Sequence, residues 1–277
     1  MQQSLAPTIV GGRLDYYSDS EIRWNAHQHY SIGLYDGEQW QLVTPSGLVQ
    51  GFIDSTTISG SALTNGNYDV YAKYLSQDNL ELIWQEWSGD NSRYETPQRF
   101  DGVLVRDLTT EGKQMRFLGI IRVDESGNFI DTNIKRFVFN YYNKKLKTVY
   151  ARPSDTGSWS YSGGAWVTWN NGSNYYAAYC LCHEPEDILM SACGEGTSSA
   201  SSNAKTYLGT SLNGTVHHPY SYKDADATND NHMLGCAAVG TTIEGLNQFD
   251  IKYNAADGTP LYEGGYAYHG CVAEIYC

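Results

Sequence analysis

Histidine and cysteine side chains that could bind a metal are concentrated in the second half of this sequence. The candidates are His183, His217, His218, His232, Cys180 and Cys182. Structural zinc sites use pairs such as Cys-x₂-Cys and His-x₃-His, and the sequence contains neither spacing. We therefore expect packing or surface histidines, with no bound metal and no cofactor.

Two acidic segments could support other chemistry. Glu184, Glu186 and Asp187 could supply the two carboxylates of a glycoside hydrolase, which lie about 5–10 Å apart across a cleft. Acids this close together beside Pro185 more often belong to a solvated loop or to a short helix over residues 185–191. Residues 224–230 begin like a calcium loop, but Asn229 occupies the glycine position, and we expect a solvated loop. With no Gly-x-Ser-x-Gly motif either, we expect no enzyme.

The aromatic residues are candidates for ligand binding rather than for catalysis. The chain has 23 Tyr, 7 Trp and 7 Phe, and exposed Tyr and Trp rings could stack on sugars. The same rings could instead fill the core of a β-sandwich. For partner contact we single out Tyr220, Tyr222 and His218, with a solvated loop as the alternative.

The elements that position these residues are predicted to be short strands joined by turns. Phe137, Phe139 and Tyr141 alternate with a mixed set of residues, Val138, Asn140 and Tyr142, as in a half-exposed strand. Residues 31–35 and 40–42 indicate a hairpin around an Asp36-Gly37 type I′ turn. Further strand pairs are predicted for residues 68–75 with 80–87, for 118–124 with 129–130, and for 159–161 with 166–169 around Gly163-Gly164. Turn signals every 8–12 residues favour an all-β protein made of sandwiches or jelly rolls.

The composition changes near Arg152-Pro153. All six cysteines follow this point, and beyond it only Lys205, Lys223 and Lys252 are basic. We predict an N-terminal arm (1–12), an N-terminal β-sandwich-like module (13–150) and a C-terminal jelly-roll-like β-domain (151–277).

The net charge limits the classes of partner that this chain is expected to bind. A net charge of −13 argues against nucleic acid and against anionic membrane surfaces. No run approaches the ~18 apolar residues of a spanning helix, so no membrane insertion is expected. The start of the chain lacks the basic and apolar regions of a secretion signal. Three disulfides remain an alternative to buried thiols.

Several segments occur in an order that resembles a known family. They are residues 11–14 (GGRL), 32–40 (IGLYDGEQW), 68–72 (YDVYA), 101–105 (DGVLV), 116–122 (RFLGIIR) and 135–143 (KRFVFNYYN). This series resembles a module of virion proteins from tailed bacteriophages, described as tail-fibre, head-fibre or virion structural proteins. The second half resembles the β-jelly-roll that follows this module, with residues 269–275 (HGCVAEI) as its last strand.

The resemblance implies a non-enzymatic appendage on the virion surface that assembles as a homotrimer in the host cytoplasm and contacts other virion proteins. We place the trimer contact near Tyr266 and Tyr268. The first hypothesis is a surface fibre or spike that binds a host receptor or glycan. The second is a capsid decoration, cement or head-fibre protein. The third is an extracellular carbohydrate-binding module.

Overall fold

The protein is all-β and sandwich-like, as the sequence predicts. The computed structural model describes residues 6–198, 205–224, 231–256, 260–262, 265 and 269–277. No helix in this part of the chain is long and apolar enough to cross a membrane. A 3₁₀ helix at Ala6–Thr8 precedes the strands, and a second one lies at Trp169–Gly172.

The N-terminal half contains three groups of strands. In chain order the elements are β1 (Gly12–Ser18), β2 (Glu21–Ala26), β3 (Ile32–Tyr35), β4 (Trp40–Val43), β5 (Val49–Phe52), β6 (Gly66–Ser76), β7 (Asn79–Gly89), β8 (Ser92–Arg93), β9 (Gln98–Phe100), β10 (Val103–Val105), α1 (Thr110–Lys113), β11 (Met115–Val123), β12 (Lys135–Arg136) and β13 (Val138–Asn140). One sheet has the order β1-β2-β5, and β3 and β4 form a hairpin. The central sheet has the order β8-β7-β6-β11-β10-β9, with β13 also paired to β11.

The central sheet is covered on both faces. Val70 and Ile121 pack with Leu14 and Ile22 of the β1-β2-β5 sheet. Residues on the opposite face, such as Phe117, belong to a cluster shared with the C-terminal half. All nine residues of β11 are therefore buried, which explains its nearly continuous apolar sequence.

The C-terminal half is a jelly roll. Its strands are β14 (Leu146–Pro153), β15 (Trp159–Ser160), β16 (Tyr175–Tyr176), β17 (Ala178–Cys182), β18 (Asp187–Ser198), β19 (Lys205–Leu212), β20 (Thr215–Asp224), β21 (Asn231–Thr241), β22 (Gly245–Ala256), β23 (Pro260–Tyr262) and β24 (Gly270–Tyr276). One sheet contains β14, β24, β18 and β21 in that spatial order, and the other contains β17, β22, β19 and β20. These are the two Greek-key sheets of a jelly roll, and their inner faces enclose the core.

Most local pairings agree with the sequence patterns, and four predictions are wrong. The strand around Phe137 and Phe139 is buried on both faces rather than half-exposed, because these two rings enter the core shared with the C-terminal half while Val138 packs with the β1-β2-β5 sheet. The β3–β4 hairpin has a four-residue loop instead of a two-residue turn, because Tyr35 pairs with Trp40. Residues 187–191 lie in β18 rather than a helix, since their side chains alternate between solvent and core. The expected hairpin around Gly163-Gly164 does not form. Instead, β15 pairs with β23, and Val167 bridges to Tyr253 of β22.

The predicted domain boundary between residues 150 and 151 falls inside β14, which pairs with the C-terminal strand β24. The two halves are joined by β12, which pairs in parallel with β17. The described part of the predicted arm is also bonded to the body, because the Asn143 side chain donates to the carbonyls of Val10 and Gly12 at 2.9 and 2.6 Å. Residues 1–5 of the arm lie outside the described residues. The division into domains stays a prediction.

Candidate binding surface

Four aromatic side chains form a cluster on the outer face of the sheet that contains β19 and β20. We call Trp166, Tyr207, His218 and Tyr220 the aromatic patch. The Tyr220 ring centroid lies 5.3 Å from Trp166, 5.8 Å from Tyr207 and 4.9 Å from His218. His218 is exposed and the other three are half-buried, so the patch meets solvent.

Backbone pairing beside β22 positions Trp166. The segment before Trp169 continues the sheet beside β22, because Val167 and Tyr253 exchange backbone hydrogen bonds of 2.9 and 2.8 Å. The indole then reaches β19 above Gly209, where a Cβ atom would lie at an ordinary contact distance of 3.4 Å from ring carbons of Trp166.

The patch offers ring faces beside polar groups. Asn254 and Lys252 of β22 lie directly opposite Tyr207 and Gly209, so they share the outer face of the sheet. Both are half-buried, and Lys252 Nζ lies 3.5 Å from Asp250. Aromatic faces provide apolar contact at low entropic cost, while amide, ammonium and imidazole groups exchange hydrogen bonds with hydroxyls. This combination suits a polyhydroxylated ligand such as a sugar.

The structure brings two of the three predicted partner-binding residues into this patch. Tyr220 and His218 lie on β20, across the cis peptide bond between His218 and Pro219. Tyr222 is in β20 opposite Tyr207, but its side chain is outside the described part of the structure. The trimer-contact candidates Tyr266 and Tyr268 also lie outside the described residues. Sequence reasoning missed Trp166 and Tyr207, because they reach the patch from other elements.

Two of the three acidic side chains beside Pro185 make ion-pair or hydrogen-bond contacts with neighbouring strands or loops. Glu186 forms an ion pair with Lys144, and its backbone nitrogen donates to Thr242 Oγ1 at 2.8 Å. Asp187 accepts a 2.6 Å hydrogen bond from the Thr241 hydroxyl. Glu184 is exposed. Residues 225–230 of the predicted calcium loop lie outside the described residues.

The histidines and cysteines do not converge on one point. Within the described segments, no group of three or more His, Cys, Asp or Glu side chains could hold a metal ion. Cys180 and Cys182 are buried free thiols 3.9 Å apart, much longer than the ~2.05 Å of a disulfide. Cys271 and Cys277 are also buried free thiols, and burial raises the pKa of Cys277 to about 11. Cys193 is the exposed member of this set.

A buried charge network joins the two halves. Arg93 Nε donates to both carboxylate oxygens of Asp69 at 3.0 and 2.8 Å, and Trp87 Nε1 donates to Asp69 at 3.0 Å. From the jelly roll, His183 Nδ1 lies 3.0 Å from Arg93 Nη2, and Glu244 forms an ion pair with Arg93. Because guanidinium only donates, His183 Nδ1 must accept and the imidazole is neutral.

Burial shifts the pKa values in this network. It raises the pKa of Asp69 to about 6, against the opposing effect of Arg93. Burial, reinforced by the positive charge of Arg93, lowers the pKa of His183 to about 3. His183 follows β17, at one end of the β17-β22-β19-β20 sheet, whereas the aromatic patch uses β19 and β20 towards the other end. The charge network and the aromatic patch are therefore separated across this sheet. We assign the charge network a role in holding the halves together.

Comparison with known proteins gives only distant similarity. No protein-family model and no curated protein matches the chain. Among solved structures, the Eiger TNF from S. frugiperda is 9% identical, with 47% of this chain and 91% of that chain covered and a TM-score of 0.33. The VP2 subviral particle of infectious bursal disease virus is 12% identical, covering 99% of this chain and 74% of that one, with a TM-score of 0.31. The Gx strain of that virus matches at 11% identity over 96% and 67%, with a TM-score of 0.30.

Proposed function

We propose that the protein is a structural component of a tailed-bacteriophage virion, a surface fibre or spike that binds a host glycan. The ordered series of segments in its N-terminal half supports the virion assignment. The aromatic patch carries the proposal for host contact, because its rings are clustered, partly exposed and flanked by hydrogen-bonding side chains. In this proposal the protein binds without catalysing a reaction.

In this proposal the N-terminal half attaches the protein to the particle, and the jelly roll points away from the particle. The jelly roll presents the patch, while the described arm residues pack on the N-terminal half. We retain the homotrimer implied by the family resemblance as part of the proposal. A capsid decoration or head-fibre role would use the same fold with a different attachment site.

Replacing patch aromatics is expected to weaken glycan retention without unfolding the protein. Trp166→Ala and Tyr220→Ala should each weaken binding by about tenfold or more, as for an aromatic residue at the centre of an interface. The measurement is retention on an array of host surface glycans. Tyr94→Ala is the matched control, because Tyr94 is a 67% exposed tyrosine in the N-terminal half. Unchanged binding by both patch variants would remove the patch from the proposal.

Immunogold labelling tests the virion assignment separately. An antibody against residues 154–277 is expected to label the tail tip of purified particles. Labelling spread over the head would favour a decoration or head-fibre protein, and particle stability without the protein would be the next measurement. Unlabelled particles would contradict the virion assignment and favour a carbohydrate-binding module.

A further inference from the structure

The jelly-roll sheet formed by β14, β24, β18 and β21 has an apolar outer face. β18 alternates strictly over its first seven residues, so that Leu189, Ser191 and Cys193 point outwards while their neighbours enter the core. Leu189 is 56% exposed and Val239 of β21 is 57% exposed. Exposed apolar side chains that are contiguous, rather than scattered, mark an interaction surface.

Strand register makes this surface continuous. Leu189 lies directly opposite Val239, and Ser191 lies between Ala237 of β21 and Val272 of β24. We call these five residues the apolar face. Further exposed apolar side chains extend it towards the ends of the strands; they are Leu146, Met233 and Tyr276.

Charge is sparse on the apolar face, although the whole chain carries −13. Asp187 and Glu195 lie at the two ends of the outward-facing row of β18, and Glu274 of β24 is the acidic residue nearest the centre. Two acidic molecules repel each other least where their surfaces carry the fewest charges. The centre of this sheet is therefore suited to contact between copies of the chain.

We propose that a second copy of this chain packs against the apolar face. The four strands of this sheet are about 4.8 Å apart and average about nine residues, so its whole outer face, with the apolar face at the centre, covers on the order of 600 Å² per copy. This is at the lower end of the roughly 600–1,000 Å² that each partner contributes to a standard interface. Sheets pack face to face about 10 Å apart, so the same face on two copies can supply both sides.

The surface of the remaining described chain offers this face no comparable apolar partner. Its exposed apolar residues, such as Leu42, Leu75 and Leu108, lie on separate elements or loops. The aliphatic centre also lacks the ring faces that make the aromatic patch suitable for sugars. This self-association is independent of glycan binding. Because it uses the same face on both copies, it is a two-fold contact that would pair copies in addition to the proposed homotrimer contact near Tyr266 and Tyr268.

Mass measurements at increasing protein concentration test the proposal. Wild type is expected to sediment with twice the mass of Leu189→Asp, because the substitution removes the two-fold contact. Burying an unpaired carboxylate should weaken association about 100-fold or more. Leu75→Asp is the matched control, because Leu75 is 48% exposed on β6. Glu274→Gln should strengthen association by removing like charges from the interface.

Cys193 provides a second readout, because its exposed thiol adjoins the apolar face between Gly235 and Gly270. Its alkylation in wild type should slow as protein concentration rises, while in Leu189→Asp it should stay fast. A wild type with the mass of one chain throughout would overturn the proposal. An oligomer that Leu189→Asp leaves intact, with Cys193 equally reactive at all concentrations, would also overturn it.

Discussion

Replacing Arg93 with alanine is expected to lower the free energy of unfolding by about 3–5 kcal/mol, which is a large part of a typical domain's stability. The side chains of Arg93 and Asp69 are 2% and 0% exposed, so the substitution leaves a carboxylate in the interior without its counterion. It also removes the contacts of Arg93 with His183 and Glu244 of the jelly roll. Urea unfolding at pH 7 measures the loss.

Two variants separate the buried charge from a general effect of losing an arginine. Arg99→Ala is the matched control, since Arg99 makes exposed hydrogen bonds to Gly102 and Tyr141, and its loss should cost within about 1 kcal/mol. Asp69→Asn combined with Arg93→Met removes both charges and should recover part of the stability lost in Arg93→Ala. A loss in Arg93→Ala no larger than that in Arg99→Ala would contradict the proposed role of the network.

Local pattern predicted the class of fold because strands leave a short-range signature. The pair of strands predicted for residues 68–75 and 80–87, which form β6 and β7, is visible within one short stretch of sequence. The prediction failed over residues 187–191, where acids after Pro185 suggested a helix. Pairing with β21 and β24 makes this segment a strand. These strands are distant in the sequence, so the local pattern of residues 187–191 carries no information about them.

The candidate site was predictable only in part for the same reason. Tyr220 and His218 stand close together in the sequence, so their aromatic and polar character could be seen. Trp166 reaches them because residues 163–167 pair beside β22, and Tyr207 reaches them from β19. The Arg93 network is equally invisible in sequence, since its members are separated by up to 175 positions between Asp69 and Glu244.

The two sheets of the jelly roll divide the proposed tasks. The β17-β22-β19-β20 sheet carries the aromatic patch near β20, and at its β17 side it contacts the central sheet. The β14-β24-β18-β21 sheet turns its apolar face outwards on the other side of the jelly-roll core. Self-association through that face would leave the aromatic patch of each copy open to ligand, and several patches on one assembly would raise the avidity for a repeated surface glycan.

Replacing His183 with asparagine is expected to reduce the loss of stability on acidification. The pKa of His183 is about 3 in the folded protein, below the ordinary value of 6.5, because the imidazole is buried beside Arg93, Lys144 and Arg99. On acidification, the unfolded chain therefore binds a proton at His183 at pH values where the folded protein does not. The stability contributed by the neutral imidazole is complete above about pH 6.5 and is lost progressively towards pH 3.

Urea unfolding of wild type and His183→Asn at pH 7 and pH 5 measures this effect. After allowance for partial exposure, we expect wild type to lose about 1–2 kcal/mol more than the variant over this interval. Asparagine can still accept the Arg93 hydrogen bond through Oδ1. Asp69 has the opposite effect on stability. Because its pKa in the folded protein is raised to about 6, it adds stability as the pH falls towards 4. Both proteins contain Asp69, so comparison of the variant with wild type largely removes this contribution. His218→Asn, an exposed matched control, should lose as much as wild type, and equal losses in all three proteins would show that His183 does not control the acid response.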